Sequence, residues 1–573
     1  MDIRDTSLKP NGRAGSAGAW VTWLLLMAVL VLKYHGLWVA YWRADDPALL
    51  HYAMQTSWAA PFLDPASWHQ ISGSNLTPWL IFSLKLDLAL FGLNPSAFYA
   101  HQLLAMAALL SVAVRLLQRW VPLPWVAMGL GLFVIAPPTA SVVEALMTRH
   151  YLEGLLAALL ALWAFVRADE ARSLGARSAV IWSWQVVSWV AYVVALTAKE
   201  VYAPLPLLLL VWPMRTDRRG LRVLPFWVIL GLYLGWRRLM LGVVSGGYAA
   251  SETWLVESAL VAFGHTLQRL PALMWGEWWG VPLGLTFLAS LWVLGCRLRR
   301  AVPAMVLGLI AVAPLLPLSI YPGVTAPDRY LFLPVFLLNV GVLSLVGQAC
   351  AALPERARWA LGVLFGLAWG VPTAVHEARQ AQARGALAQE YDVQGRYLWA
   401  HEDGETYIPS EVLLNTYLYA DQLCRIKAQA GVTCPTALML GHDLPAPGAA
   451  AVRAYEAGHM RVLDPAQVRQ RLALEGKVAL QAQWSLQAGV LRWRLEADVP
   501  GAFAVVSREF GRYWLPAEGS LRTGLKGLEF RLLHVDVAGR VGSSPLLRLT
   551  HGEFWCLRVP AAPSNGDCPL VPK

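Results

Sequence analysis

Between Trp20 and about Val375 the chain is divided into one apolar run after another, each long enough to matter to a lipid bilayer. A helix needs about 20 predominantly apolar residues to cross roughly 30 Å of hydrocarbon. A chain with many such runs can bury them only in lipid or against one another, with every backbone polar group satisfied inside the helix. The recurrence therefore points to a polytopic α-helical membrane protein. Composition agrees, with 57% hydrophobic residues, 15% charged residues and 28 Trp.

Hydropathy and helix length predict about 11 spans. They fall near Trp20–Trp42, Phe98–Leu117, Val121–Ala140, Tyr151–Val166, Ser178–Ala198, Glu200–Pro213, Val223–Leu241, Val281–Leu298, Val302–Ile320, Tyr330–Cys350 and Trp359–Thr373. The sixth is short and carries Pro204 and Pro206, and an amphipathic piece at Trp254–Met274 is expected at the interface. Residues 1–19 read as a cytoplasmic tail and 20–375 as the transmembrane domain, with a long first external loop over 43–97. The first run is too long for a signal-peptide core and is expected to be a retained helix.

Arginine distribution orients the spans. Arg115 and Arg119, then Arg167, Arg172 and Arg177, the Arg215–Arg222 group, Arg297–Arg300, and Arg356 with Arg358 all fall in alternate loops. Placed on the cytoplasmic side with the N-terminal tail, they satisfy the positive-inside rule at each turn. The net charge of +10 is thereby a topology signal. No basic stripe interleaved with aromatics is present, which argues against a nucleic-acid partner.

By the same rule the tail after Val375 is external. Its 376–430 stretch reads as a helical lead-in and 436–573 as β-rich, because period-two alternation sets in near Val478, as in Leu480-Gln481-Ala482-Gln483-Trp484. Four of the six cysteines, Cys424, Cys434, Cys556 and Cys568, lie in this part. Local pairing, Cys424 with Cys434 and Cys556 with Cys568, is the simplest arrangement and requires an oxidising compartment. The fold class expected is a helical polytopic membrane protein with a C-terminal α+β or β-rich external domain.

Ionisable residues beside apolar spans are costly and are functional candidates. On the external side they comprise Asp45, Asp46, Glu144, Arg149, His150, Glu153, Lys199, Glu200, Asp328 and Arg329. Each has a plain structural reading. Asp46 before Pro47 is a good helix start, Lys199 can snorkel from a connecting turn, and Arg149-His150 and Arg329-Tyr330 suit interfacial anchoring. Together they suit chemistry: Arg and Lys can hold a lipid-linked phosphate, and a carboxylate can take a proton from an attacking hydroxyl. A polyprenyl-phosphate sugar supplies the anionic leaving group and the electrophilic carbon.

Several segments carry a resemblance. Asn75-Leu76-Thr77-Pro78-Trp79 through Asn94-Pro95 and Tyr99-Ala100-His101-Gln102 resembles the first-loop signature of membrane-embedded GT-C glycosyltransferases, in particular the transmembrane-and-TPR O-mannosyltransferases and their bacterial relatives. Pro137-Pro138 with Val143-Glu144-Ala145-Leu146 and Arg149, Thr197-Ala198-Lys199-Glu200 with Pro204 and Pro206, and Asp328-Arg329-Tyr330-Leu331-Phe332-Leu333-Pro334 are similar to later segments of that group, in order. The resemblance covers roughly 20–375. It implies an undecaprenyl-phosphate sugar donor, inversion at the sugar carbon, a protein or cell-envelope glycan acceptor, and a bacterial inner membrane with the site facing the periplasm. Carried over by position, Asp45 or Asp46 becomes the catalytic base, Arg149, His150, Lys199 and Arg329 become donor-phosphate residues, and Glu200 partners Lys199. Thr77 stands where the group usually has Arg, and helical repeats are replaced by the mixed C-terminal domain, which leaves the acceptor open. No cofactor is expected; a divalent cation on Asp45 and Asp46 is the competing expectation. Two other functions fit the same features: a transporter or flippase of a lipid-linked sugar, and an assembly protein on a membrane anchor.

Overall fold

The structure is a computed structural model. It describes residues 14–244 except 73–74, 120 and 213–218, then 275–276, 280, 328–349 and 354–402. Beyond these it describes 406–408, 416–437, 451–464 except 457, 466, 480–507 except 488–489, 511–522, 527–536, 541–544, 547–550 and 554–559. The spans expected at Val281–Leu298 and Val302–Ile320, the amphipathic piece at Trp254–Met274 and Cys568 lie outside the described residues.

Twelve helices are described over 14–244: α1 (Ala14–Tyr34), α2 (Asp46–Gln55), α3 (Ala60–Leu63), α4 (Pro65–Trp68), α5 (Pro78–Phe91), α6 (Pro95–Leu117), α7 (Leu123–Ile135), α8 (Pro137–Val143), α9 (Arg149–Ser173), α10 (Ser178–Ala198), α11 (Leu205–Val211) and α12 (Arg219–Leu241). Helices Phe332–Ala349, Glu355–Ala400 and Thr416–Gln429 follow. Among the described residues, five helices are long and apolar enough to cross a membrane, or six if α7 and α8 are one bent span. The protein is accordingly a multi-pass membrane protein.

The chain divides into two compact units. One holds the residues up to Ala40 together with Tyr52–Gly385, and the other holds Tyr41–His51 together with Ala386–Lys573. Two sequence boundaries shift as a result. The polar lead-in at His376 is not separate from the last span, because one helix runs from Glu355 to Ala400. The loop expected over 43–97 is largely helical, and its first part belongs with the C-terminal residues.

In the first unit, α9 packs along α10 and against α6, while α7 packs against α1 and the Phe332–Ala349 helix. Gly129 lets α7 and the Phe332–Ala349 helix approach, since a Cβ there would meet the Asn339 carbonyl at 3.0 Å. Side chains of α1 reach its neighbours: Trp23 Nε1 donates to Ser111 Oγ at 2.7 Å and Tyr34 Oη donates to the Val134 carbonyl at 2.9 Å. The span expected at Val121–Ala140 is made of two helices, α7 and α8, bent by 63°. Pro137 and Pro138 lack N–H groups and cannot continue α7, but Pro137 is well placed to start α8. The outer face of α10 leaves Trp182, Val186, Val190 and Val193 exposed, which is the face a spanning helix gives to lipid.

In the second unit a mixed sheet of order β2-β1-β3-β4 follows the long helix, built from Thr436–Ala437, Thr406–Ile408, Val452–Glu456 and His459–Leu463. Two further sheets face each other. One contains β5 (Leu480–Gln487), β6 (Val490–Ala497), β9 (Glu518–Arg522) and β13 (Phe554–Val559), and the other β7 (Gly501–Ser507), β8 (Gly511–Leu515), β10 (Gly527–Asp536), β11 (Val541–Ser543) and β12 (Leu547–Thr550). Ala482, Trp484 and Leu495 from the first meet Phe503, Phe530, Leu532 and Leu547 from the second in one core. The alternation near Leu480 thus marks a sandwich strand, with Gln481 and Gln483 turned outward. Cys424 and Cys434 are joined, with Cα atoms 5.6 Å apart.

Candidate functional site

Two groups of ionisable side chains form in the first unit. The first is centred on Arg149, at the start of α9. Helix α5 presents Trp79, Ser83 and Asp87 at intervals of four, so all three lie on one face. Helix α6 brings His101 and Gln102, and α9 places Glu153 one turn beyond Arg149. The Arg149 guanidinium donates to Gln102 Oε1 and Ser83 Oγ, each at 3.2 Å, to the Phe98 carbonyl at 2.7 Å, and to Asp87. Asp87 also bonds His101 Nδ1 at 2.7 Å. Glu153 accepts from Trp79 Nε1 and Ser83 Oγ, both at 2.7 Å. Gln102 donates in turn to the Val142 carbonyl at 2.8 Å, tying the group to the end of α8. Arg149 and Asp87 are 0% and 1% exposed at the side chain. Expected to hold a donor phosphate, Arg149 instead meets protein acceptors on each of its nitrogens.

The second group is centred on Lys199. It follows α10 and precedes a short 3₁₀ turn, Glu200–Tyr202, after which Pro204 caps α11 and Pro206 lies in its first turn. The turn is seated against α9 at Gly154, where a Cβ would collide with the Tyr202 ring and Tyr202 Oη donates to the Tyr151 carbonyl. Lys199 is buried, yet among the described residues its Nζ has two acceptors, Asn75 Oδ1 and Glu200 Oε1, each at 3.2 Å. An ammonium has three N–H donors. The Glu200 side chain, 34% exposed, also lies 3.8 Å from Arg237 Nη1 of α12. Lys199 sits 5.5 Å from the centre of the Tyr151 ring. Tyr330 meets that ring edge-on at 5.9 Å, and Arg329 lies 5.3 Å from the Tyr330 ring. His150 stacks on Tyr151 with ring centres 4.6 Å apart, close enough for the charges of both Lys199 and Arg329 to act on it.

Of the residues expected at the donor phosphate, then, His150, Lys199, Glu200 and Arg329 come together and Arg149 does not join them. Glu144 is elsewhere, accepting from Arg384 Nε at 3.1 Å in a network with Glu377 and Lys33. The Asp328 side chain lies outside the described residues.

Asp45 and Asp46 belong to the second unit. Asp46 opens α2, is 2% exposed, and accepts the Arg43 backbone N–H at 2.9 Å, while Asp45 is exposed. The Asp45 carbonyl receives the first helical bond, from Leu49 N–H at 3.1 Å, so Asp45 is the capping residue and Pro47 the second helical one. Ala44, just before the pair, has φ +46°, the left-handed region that few residues other than glycine adopt. Burial, and then the charge of Asp45, raise the pKa of Tyr391 and hold its hydroxyl protonated. Among the described residues no group of three or more His, Cys, Asp and Glu side chains forms a metal centre.

Reasoning on the sequence alone missed Asp87, Asn75, Arg237 and Asp392. Asp87 had a readable signal, because it is an acid in an apolar helix at four-residue spacing from Ser83 and Trp79. Asn75 stood in a quoted motif without a role. Arg237 and Asp392 sit among other charges on long helices, and only tertiary contact separates them from solvated neighbours.

No family model and no curated protein matches the chain. Two solved structures are similar to it. One is ArnT from Cupriavidus metallidurans in the apo state, at 20% identity and TM-score 0.38, covering 61% of this chain and 62% of that one. The other is the Archaeoglobus fulgidus oligosaccharyltransferase in complex with Zn and sulfate, at 12% identity and TM-score 0.43, covering 75% and 63%. The chain thus spans less than two thirds of the length of either. Likeness at this level leaves the chemistry to be argued from the chain's own residues.

Proposed function

We propose that the protein is a GT-C-type membrane glycosyltransferase of about 11 spans that transfers a sugar from a polyprenyl-phosphate donor to a protein or cell-envelope glycan. The observation that carries this reading is the Lys199 group. It draws a lysine, two arginines and a histidine from α9, the segment after α10, α12 and the Asp328–Leu331 turn to the carboxylate of one partly exposed side chain and an aromatic pair. A phosphate monoester or diester suits such a group, because charge-assisted hydrogen bonds from Lys and Arg are the strong ones. The four ordered sequence motifs support the same donor, and the arginine-bearing loops support a periplasmic site in a bacterial inner membrane.

In the reaction an acceptor hydroxyl oxygen attacks the anomeric carbon. The bond from that carbon to the phosphate oxygen breaks, polyprenyl phosphate leaves, and the configuration inverts. Lys199 and Arg329 hold the phosphate as its charge grows, with His150 beside them and Glu200 holding Lys199 in place. A carboxylate takes the hydroxyl proton. Asp45 is favoured for that step, since Asp46 is buried and already bonded to backbone N–H. This mechanism needs no divalent cation.

Donor turnover from a panel of labelled undecaprenyl-phosphate sugars in detergent tests the proposal. Asp45→Asn lowers turnover about 10²- to 10⁴-fold, leaving a measurable residual rate with donor binding kept, and Lys199→Ala weakens donor binding. Full turnover in both Asp45→Asn and Asp46→Asn would defeat the mechanism. Donor bound but never turned over by the wild type, together with its movement across sealed liposomes, would favour a transporter.

A further inference from the structure

The turn carrying Asp45 and Asp46 is held by residues some 350 positions later in the chain. Asp392, on the polar part of the Glu355–Ala400 helix, accepts from Arg43 Nε at 2.9 Å and Arg43 Nη2 at 2.8 Å. The first of its oxygens also accepts the Tyr41 backbone N–H at 3.0 Å. Arg43 then passes the constraint on, because its own backbone N–H is the one bonded to Asp46. From the Thr416–Gln429 helix, Tyr419 Oη donates to the Trp42 carbonyl at 2.8 Å. Gly395 leaves room for this contact: a Cβ there would collide with Tyr419 Oη and the Tyr41 ring. Residues 41, 42, 43 and 46 are thus each fixed, and between them Ala44 is kept at φ +46°. A left-handed alanine is strained and persists where its surroundings over-determine it.

A bidentate Arg–carboxylate pair has one geometry. The pair here is mostly buried, with side-chain exposures of 12% for Arg43 and 20% for Asp392. Plain docking of a loop would be met by apolar packing alone; here each contact ends on the backbone or side chain of the residues flanking the acids.

We infer that Asp392 is a positioning residue for the Asp45–Asp46 turn, acting through Arg43, with Tyr419 in support. The C-terminal unit then has a part in the reaction itself, apart from any part in choosing the acceptor. The inference rests on the proposed role of Asp45 as base.

The test is donor turnover from the same labelled undecaprenyl-phosphate sugars by the full-length protein, in wild-type and Asp45→Asn backgrounds. Misplacement of a reacting group by about 1 Å costs about a hundredfold. Asp392→Asn therefore lowers kcat about 10- to 100-fold with donor KM within about twofold of wild type. Asp392→Glu recovers part of the loss. In the Asp45→Asn background Asp392→Asn removes nothing further, as for residues acting in one unit. Should Asp392→Asn not fold, Tyr419→Phe removes only the O–H given to Trp42 and lowers kcat in the same background-dependent way. Wild-type kcat in these variants, a rise in KM alone, or the same fold-loss in both backgrounds would overturn the inference. Wild-type turnover in both Asp45→Asn and Asp46→Asn would overturn the proposed base, and this inference with it.

Discussion

Arg149 and Lys199 are both buried cations at the ends of apolar helices, and they have opposite surroundings. Arg149 meets two carboxylates, two neutral side chains and a carbonyl, with Asp87 as buried as itself. Lys199 meets one amide oxygen and one carboxylate that is itself a third exposed and shared with Arg237. A closed set of partners fixes helices to one another. A set that, among the described residues, leaves one ammonium N–H without an acceptor beside a partly exposed acidic side chain is suited to a ligand. The two motifs look alike in sequence, and the difference lies in how many acceptors the fold brings to each.

The sharpest way to break this comparison is to remove each cation. Arg149→Met strands Asp87 and Glu153 in a buried site, and breaking a buried pair by removing one partner costs about 3–5 kcal/mol. The expected result is loss of folded protein from the membrane fraction, read by thermal unfolding in detergent. Lys199→Ala leaves the fold, because Glu200 keeps Arg237 and its exposure. It weakens binding of a labelled polyprenyl-phosphate sugar by about 10- to 100-fold, the value of a charged hydrogen bond of about 1.5–3 kcal/mol. If the two variants behaved alike in both measurements, the division into closed and open groups would be wrong.

A smaller effect sharpens it without altering charge. Gly154→Ala places a methyl against the Tyr202 ring, and overpacking of this kind costs about 1–3 kcal/mol. It shifts the turn that carries Lys199, so donor affinity falls while the Arg149 group is untouched. Equilibrium binding beside thermal stability separates the two.

The smallest effect concerns a third buried polar group, in the second unit. His534 on β10 is 0% exposed, lies 5.0 Å from the Phe503 ring centre, and has no hydrogen-bond partner on either ring nitrogen among the described residues. Burial lowers its pKa from 6.5, opposed by the nearby Asp536 charge. The unfolded chain therefore binds the proton more readily, and stability rises with pH in that window. It is complete above about 6.5 and falls as the pH drops toward the folded-state value. Hydrogen-exchange protection of β7 and β10, corrected for intrinsic rates, falls between about pH 7.5 and about pH 5.5. His534→Phe removes the dependence, and an unchanged profile in that variant would place the cause elsewhere.

Much of the helical layout was legible. Ser178–Ala198 begins and ends where its apolar run does, whereas Pro78, Pro95 and Pro137 each open a helix at a point that the apolar runs did not mark. The local cysteine pair at 424 and 434 was legible for a simple reason: ten residues of chain keep the two thiols near each other. The helix at 78–91 was hidden because Lys85 and Asp87 depress its hydropathy. In the fold Lys85 donates to the carbonyls of Ala53 and Thr56, and Asp87 pairs with Arg149, so both charges are satisfied within protein.

The sequence by itself determined that the chain has several spanning helices, which residues face a bilayer edge, and that a strand-rich part follows. Those properties depend on hydrophobicity and backbone propensity summed over neighbouring residues. Tertiary structure alone decided that Arg149 is closed and Lys199 open, and that Asp392 governs the turn at Asp45. Each of these depends on acceptors and donors supplied from up to some 350 positions away, where no local pattern records the pairing.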